Sequence, residues 1–472
     1  MTTWQFVDSI ATSPSVLLDL NASPFFVDVA SVDLSPAEYD QSWSSNSLAH
    51  GARLAWEKAQ NRTLKIPLHI MSSTVSAHET AITNLGNRIA QNGILKVQYG
   101  STPIYFRTFG NPKYAMKIRR ALKDSSTINL EIQAEPFGYG PRIEVPNSPF
   151  TVSNDPAAGS NGCFFDIVGI SGDVSTPLLL VMASTGAGPG LSGVANRWTH
   201  IGTRRRGTPS NYSNVVQAEG MTLGTNAAVV SPDTAMSGSS KARITPGTTA
   251  MSLRLSDTFP SNGFIGTDVR GQYKVYARVA KVTAGDTWDL QLKYGSSSSS
   301  NTANDVQRCP AGLAGPFFLD LGMVPVPAYA DPVVHGFSGV ELKTGLAWIG
   351  VFAQRVAGTG ALDIDYLYFM PADDQTLIVR FPGSDLTYAI DGTTDSGGAV
   401  YGLSFPAMDE VFTTDVPAQV IGGGGFPEVI PGVTNRIHFL RNIDPNGTVD
   451  AVGNTTTIRA YYWPRWREAI RP

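Results

Sequence analysis

The chain has 472 residues, 42% of them hydrophobic and 16% charged, with a formal net charge of −4. That length holds roughly two to four domains, and a charged share below the roughly 25% of typical soluble domains, beside abundant glycine and proline, favours β-rich architecture with surfaces covered by neighbours. The charge balance excludes a global basic field for nucleic acid. The two cysteines, Cys163 and Cys309, exclude a disulfide framework and read as free thiols, and no apolar run nears the ~18 residues that cross a bilayer.

Met1-Thr2-Thr3-Trp4 lacks a basic-then-apolar signal region, so assembly in a cytoplasm is expected. Val16 to Leu20 and Phe25 to Val29 read as early strands. Ser42 to Gly51, polar and closed by glycine, reads as a long loop. Leu64, Ile66, Leu68 and Ile70 then alternate with Lys65, Pro67 and His69, the period of a strand with one buried face. Ser76 and Glu79 have capping-box spacing, Ala81, Ile82, Leu85 and Ile89 share a helical face, and Gly93 is placed to stop the helix. Leu95 to Tyr99 and Ile104 to Phe109 form a hairpin around Ser101-Thr102-Pro103. Strands near Tyr114 to Leu122 and Thr127 to Ala134 lead to Glu135-Pro136-Phe137-Gly138-Tyr139-Gly140. One helix on a mostly antiparallel sheet results.

Pro141, Pro146, Pro149 and Pro156 mark a boundary near residue 143. Cys163 to Ile170 and Pro177 to Met182 read as strands around Ser171-Gly172-Asp173. From about Trp198 to about Ala372, further strands are separated by Gly/Ser/Pro turns such as Gly295 to Ser300: Val215 to Glu219, Gln272 to Val279, Trp288 to Leu292, Phe318 to Gly322 and Leu362 to Phe369. Their spacing suggests a jelly roll. Gly422 to Gly425 reads as a hinge before the last strands.

The order Asn61-Arg62-Thr63-Leu64, one helix, a hairpin and Ala134 to Gly140 resembles the N-terminal domain of phage distal tail proteins over roughly the first third of the chain. Gly172 to Leu178, Pro431 to Asn435, Ile437-His438-Phe439 and Ala460 to Trp466 are similar to the opening and closing strands of the β-sandwich that follows in that family. The resemblance implies a mainly β chain. A tail-tube-like barrel with one helix (residues 1–142) precedes a galectin-like β-sandwich (143–197 and 373–472) split by an inserted jelly roll (198–372). It implies a non-enzymatic subunit of the virion tail tip that closes with its own copies into a ring, usually six-fold, with hexamer or trimer left open. The implied partners are the tail tube, tape measure and tail-tip hub proteins, with no membrane, no specific nucleic acid and no cofactor.

The insertion resembles carbohydrate-binding modules of the galactose-binding type. There the opening Ala-Glu and a closing Asp hold a structural calcium, by position Glu219 and Asp365 here. Two carboxylates fall short of the six to eight oxygens calcium takes, and capping a loop or facing solvent is the commoner use. Trp198, Trp288, Tyr294 and Trp348 are the aromatics offered for stacking on a sugar, with a place in the sandwich core as the plainer reading. A stand-alone carbohydrate-binding or glycan-hydrolysing protein, monomeric rather than ring-forming, is the alternative function.

Catalytic motifs fail on their own spacing. His78-Glu79 opens like a zincin helix, but Ile82 stands where the second histidine belongs. Pro189 interrupts the glycine pattern Gly188 to Gly193, and Val340 follows Gly336-Phe337-Ser338-Gly339 where a nucleophile elbow needs glycine. Asp373-Asp374 would point to opposite faces of a strand, and Arg204-Arg205-Arg206 is too short for a polybasic patch.

Overall fold

The computed structural model describes residues 2–10, 13–45, 52–110, 112–118, 124–183, 197–203, 214–247, 250–258, 271–295, 297–326, 348–372, 376–381, 387–392, 399–403, 419–423, 425–444 and 455–467. Asn46 to Gly51, Arg119 to Leu122, Gly188 to Gly193, Arg204 to Arg206, Gly336 to Val340, Asp373, Asp374 and Gly424 lie outside the described residues. The fold is mainly β. The chain divides into two compact units. One comprises Met1–Ile143, Ser171–Thr176 and Tyr462–Pro472; the other comprises Glu144–Ile170 and Pro177–Tyr461.

In the first unit, β1 (Thr3–Val7), β2 (Val16–Asp19), β3 (Phe25–Val27), β4 (Tyr39–Ser45), β5 (Ala52–Ala59) and β6 (Arg62–Met71) precede α1 (Val75–Ile89). β7 (Gly93–Gln98), β8 (Pro103–Thr108), β9 (Lys113–Ile118), β10 (Ser125–Ala134) and β11 (Gly138–Tyr139) follow. The sheet runs β2-β1-β7-β8-β10-β6-β3, with β9 also on β10 and β11 also on β8. β6 alternates as its sequence dictates: Leu64, Ile66, Leu68 and Ile70 are buried, and Lys65 points out. Trp4 from one end of the path and Phe25 from the other share a core with Ala81, Leu85 and Ile89 of α1, so the sheet curls around one apolar interior.

Two local expectations shift. Thr74, in extended backbone, caps α1 by accepting from the Ala77 N–H at 3.1 Å. Ser76 therefore lies inside the first turn and is no cap. The helix ends with Ala90 as its C-cap, and Gly93 already opens β7. Ser42 to Ser45 belong to β4 rather than to a loop. β4 and β5 pair from Tyr39 with Ala59 to Ser45 with Ala52, as a two-stranded sheet of their own.

The second unit carries two pairs of sheets. A five-stranded sheet runs Phe164–Ile167, Asn435–Arg441, Arg197–Thr203, Thr376–Phe381, Gln419–Gly423. A seven-stranded one includes Thr455–Tyr462, Thr176–Ala183, Thr387–Asp391 and Ala399–Leu403. Between them in sequence come two six-stranded sheets. The first runs Ala227–Val230, Lys241–Ile244, Leu362–Pro371, Gly271–Lys281, Phe317–Val326; the second runs Thr222–Leu223, Ser252–Thr258, Trp348–Ala357, Thr287–Gly295, Asn301–Ala303. Trp198 pairs with Arg380 inside the five-stranded sheet.

The last strand moves. Arg465–Trp466 pairs with β11 in the first unit, not with the sandwich strands of the second. Sandwich and insertion share one core cluster, in which Cys163 and Leu440 join Tyr276, Tyr366 and Tyr368. All ten residues of Leu362–Pro371 are buried, since this strand is covered on both faces.

Candidate assembly surface

The ends of the main path through the ten-stranded sheet are β2 and β3, with β9 and Arg465–Trp466 as further strands of one partner each, and both β2 and β3 show apolar side chains to solvent. On β2, Val16 is 49% and Leu17 50% exposed; on β3, Phe26 is 44% exposed. Phe6 pairs with Leu18 and Val7 with Val16, which makes Leu17 the extra residue of a bulge. Phe26 pairs with His69 of β6, and Met71, two residues further on the same face, is 58% exposed. β3 carries no charge at all. Edge strands of isolated proteins are normally blunted by lysine or proline or covered, because free N–H and C=O groups beside apolar side chains are a template for another chain.

The β4–β5 hairpin adds a second feature. Its seven and eight residues extend about 20 Å at strand rise. An isolated two-stranded ribbon is marginal in water, so such an element persists where a neighbour covers it. The Gln60 N–H donates to the Glu38 carbonyl and continues the ladder past Tyr39, and the Arg467 guanidinium stands over the Tyr39 ring at 5.7 Å. Sequence reading missed β2 and β3 as surfaces and took Ser42 to Gly51 as a loop that could reach a neighbouring subunit. The available signal was the uncharged runs Val16-Leu17-Leu18 and Phe25-Phe26-Val27, too short to show which face is covered.

Of the four aromatics offered for sugar stacking, Trp198, Trp288 and Tyr294 belong to or pack against one core cluster, and Trp348 lies on the strand paired with that of Tyr294. Trp288 is 1% exposed and part of the core cluster of the second unit. Trp198, in the five-stranded sheet, and Tyr294 are half-buried against that core. Trp348 is 6% exposed yet stands apart from the interior cluster that takes Ile349 and Val351; it shares a strand face with Gly350, Phe352 and Gln354. Gln291 pairs across from Phe352 and Lys293 from Gly350, with the Lys293 ammonium 4.1 Å from the Phe352 ring centre.

The position proposed for calcium is taken by a cation of the chain itself. The Arg278 guanidinium, fully buried, forms an ion pair with Asp365, whose carboxylate also accepts from the Ser237 N–H at 3.0 Å. Arg278 further donates to the Ala235 carbonyl at 3.2 Å. Burial outweighs the guanidinium and raises the Asp365 pKa to about 6. Glu219 is half-buried with its pKa raised by desolvation. The pair with Arg278 replaces the calcium reading for Asp365, and among the described residues no three His, Cys, Asp or Glu side chains group as a metal site.

His78, His200, His438 and both cysteines are buried. His78 is buried on the sheet-facing side of α1, and Ile82 follows it half-buried, as an amphipathic helix requires. His200 lies between the Tyr276 hydroxyl at 3.0 Å and Thr376 Oγ1 at 2.6 Å, and burial lowers its pKa to about 3, so it is neutral at ordinary pH. His438 Nδ1 meets the Tyr368 hydroxyl and Asn214 Nδ2, each at 2.9 Å. Cys163 and Cys309 are buried thiols whose ionisation is pushed up by desolvation. Among the described residues no helix is long and apolar enough to cross a membrane.

No family model and no curated protein matches the chain. Among solved structures, the chain is similar to the SPP1 Dit protein, described as a paradigm of the hub adsorption apparatus in phages infecting Gram-positive bacteria. The identity is 9% and the TM-score 0.28, over 78% of this chain and 99% of that one. The phage P2 baseplate in its activated conformation with calcium gives 8% identity and a TM-score of 0.25, over 77% of this chain and 97% of that one. An infectious bursal disease virus structure gives 8% identity and a TM-score of 0.17, over 91% and 81%.

Proposed function

We propose that this chain is a structural subunit of a phage tail tip whose working form is a closed ring of its own copies. The observation that carries the reading is the pair of apolar, unblunted sheet ends, β2 and β3, on one curled sheet. Two different edges on one subunit make a heterologous contact, and repetition of such a contact gives a ring when the rotation closes. The β4–β5 hairpin, a two-stranded sheet of its own, supplies a further arm for the same neighbour in this reading. In this reading the ring is six-fold, joins the tail tube and tape measure proteins to the tip hub, and belongs to the virion; its function is interface geometry rather than catalysis. The resemblance of Asn61 to Gly140 to distal tail proteins supports the phage assignment.

The test is the mass of the purified chain in solution together with negative-stain images. A multiple of the subunit mass and ring-shaped particles are expected. Phe26→Lys, which puts an ammonium on the β3 edge, returns the mass to a single copy. A single-copy mass for the parent chain at every concentration, with no ring in particles that contain it, overturns the proposal.

A second reading concerns the insertion, where the face shared by Phe352, Gln354, Gln291 and Lys293 combines a ring with amides, the mixture that recognises a polyol. It makes the inserted sandwich a host-surface glycan reader. Glycan-array binding that disappears in Phe352→Ala is the expected result; no binding to any glycan by the intact chain rejects it.

A further inference from the structure

Within the first unit, part of the core is supplied from the far end of the sequence. Trp466, 5% exposed, lies in the same apolar cluster as Leu64, Phe106 and Ile132. Gly138 pairs with Trp466 and Tyr139 with Arg465, and the Gly140 N–H donates to the Pro464 carbonyl at 2.8 Å. The indole fills the space over Gly140, where a Cβ would meet it at 2.7 Å. Trp463 packs beside Val7, Tyr105 and Tyr139 in the adjoining cluster.

Polar contacts fix the same strap. Arg62 Nη2 donates to the Arg467 carbonyl at 2.8 Å across 405 residues of sequence. Asp173 accepts from the Arg467 N–H at 2.9 Å and donates its own N–H to the Arg465 carbonyl at 3.0 Å. Thr176 Oγ1 donates to the Trp463 carbonyl at 2.7 Å. Arg107 and Arg465 both stand over the Tyr139 ring, at 5.5 and 5.2 Å.

We infer that residues 462–467 are a completion strap: the first unit, though begun first, stays unfinished until the second unit has been made and this segment pairs with β11. Domains ordinarily fold in the order of synthesis. Here the seat of Trp466, the free side of β11 and the Arg62 guanidinium all await residues made last among those described, so unfinished chains lack a finished first unit. The edges β2 and β3 would then be presented in their final geometry only by chains that have reached Arg467. The inference concerns one subunit and holds whether or not rings form.

Synchronised synthesis of the full chain with timed protease challenge tests it. Resistance of Gly271–Lys281 and Leu362–Pro371 is expected before or together with that of β6 and β10, the reverse of synthesis order. Resistance of β6 and β10 before Tyr461 has been made overturns the inference. In purified full-length protein, Trp466→Ala and Gly140→Val should each raise amide exchange in β6 and β10 at least tenfold, with Gly271–Lys281 unchanged. Exchange equal to the parent's in both variants also overturns it, and should either variant fail to give soluble protein, the timed experiment on the unmodified chain decides alone.

Discussion

The two units close their interiors by different means. In the first, one sheet wraps α1 around an apolar cluster, Arg62 and His78 are buried beside it without an ion pair among the described residues, and the last piece is an indole brought back from position 466. In the second, charge is buried along with the apolar side chains. Arg278 pairs with Asp365, and Asp363 with Lys241 and Arg243, while hydroxyls of Tyr366 and Tyr368 reach across to the Asn154 and Cys163 carbonyls. Apolar closure tolerates shape-conserving change and depends on every filling group being present. Buried ion pairs add little net stability but penalise heavily any state in which one member is missing.

The largest expected effect breaks the second kind of closure. Arg278→Met leaves the Asp365 carboxylate buried with only the Ser237 N–H, and about 3–5 kcal/mol is lost from the second unit, read as amide exchange in Leu362–Pro371. Loss below about 1 kcal/mol would mean the pair is better solvated than its burial implies. The matching break in the first unit is Leu130→Ala on β10, a fully buried side chain, with about 2–5 kcal/mol expected from lost transfer energy and the cavity left behind. Each change should register in its own unit, since the two cores are separate clusters.

Acidity sharpens the contrast. Asp365 binds its proton near pH 6 when folded and near its ordinary 3.8 when unfolded, so its contribution to stability grows as pH falls through that interval and is lost as pH rises through about 6. His200 does the opposite: its ordinary value of 6.5 drops to about 3 on folding, so its contribution is present above 6.5 and lost as pH falls toward 3. Between about pH 4 and 6 the two slopes, each at most about 1.4 kcal/mol per pH unit, oppose one another. Denaturation measured across that range should therefore separate the variants from the parent chain in opposite senses. On acidification Asp365→Asn loses stability relative to the parent and His200→Asn gains it. Identical slopes in all three chains would remove both groups from the account.

A smaller effect tests the shifted helix start. Thr74→Ala removes the hydroxyl that holds the Ala77 N–H and should cost about 1 kcal/mol, whereas Ser76→Ala should cost little. The helix itself was plain in the sequence because Ala81, Leu85 and Ile89 keep its period; its start was not, because Thr74 and Ser76 offer equally good hydroxyl acceptors two residues apart. β6 was legible for the same reason as α1, its alternation having one buried side. Leu362–Pro371 was legible as a strand and misleading as a face, since Asp363 and Asp365 alternate like solvent residues and are buried by the opposing layer. Ser42 to Ser45 gave no alternation to read, and the return of Trp466 to the first unit depends on contacts hundreds of positions apart that local pattern does not encode. The candidate surface was the least legible part. Exposure of Leu17 and Phe26 follows from which strands end the sheet, a property of topology alone.

The smallest expected effect on stability carries the sharpest comparison between the units. Leu17 on β2 and Val229 on the Ala227–Val230 edge of the inserted sandwich are 50% and 46% exposed, and both sit on terminal strands of their sheets. Replacing either with lysine touches no core and should leave stability within about 0.5 kcal/mol. An ammonium on an edge nevertheless forbids another chain from pairing there, since it would be buried without a partner. If β2 is the surface on which copies meet, Leu17→Lys lowers the solution mass to one subunit while Val229→Lys leaves it unchanged, both chains unfolding at the parent temperature. An unchanged mass for Leu17→Lys beside a reduced one for Val229→Lys would move the meeting surface from the curled sheet of the first unit to the inserted sandwich. The exposed apolar end of β2 would then be a feature of the subunit alone.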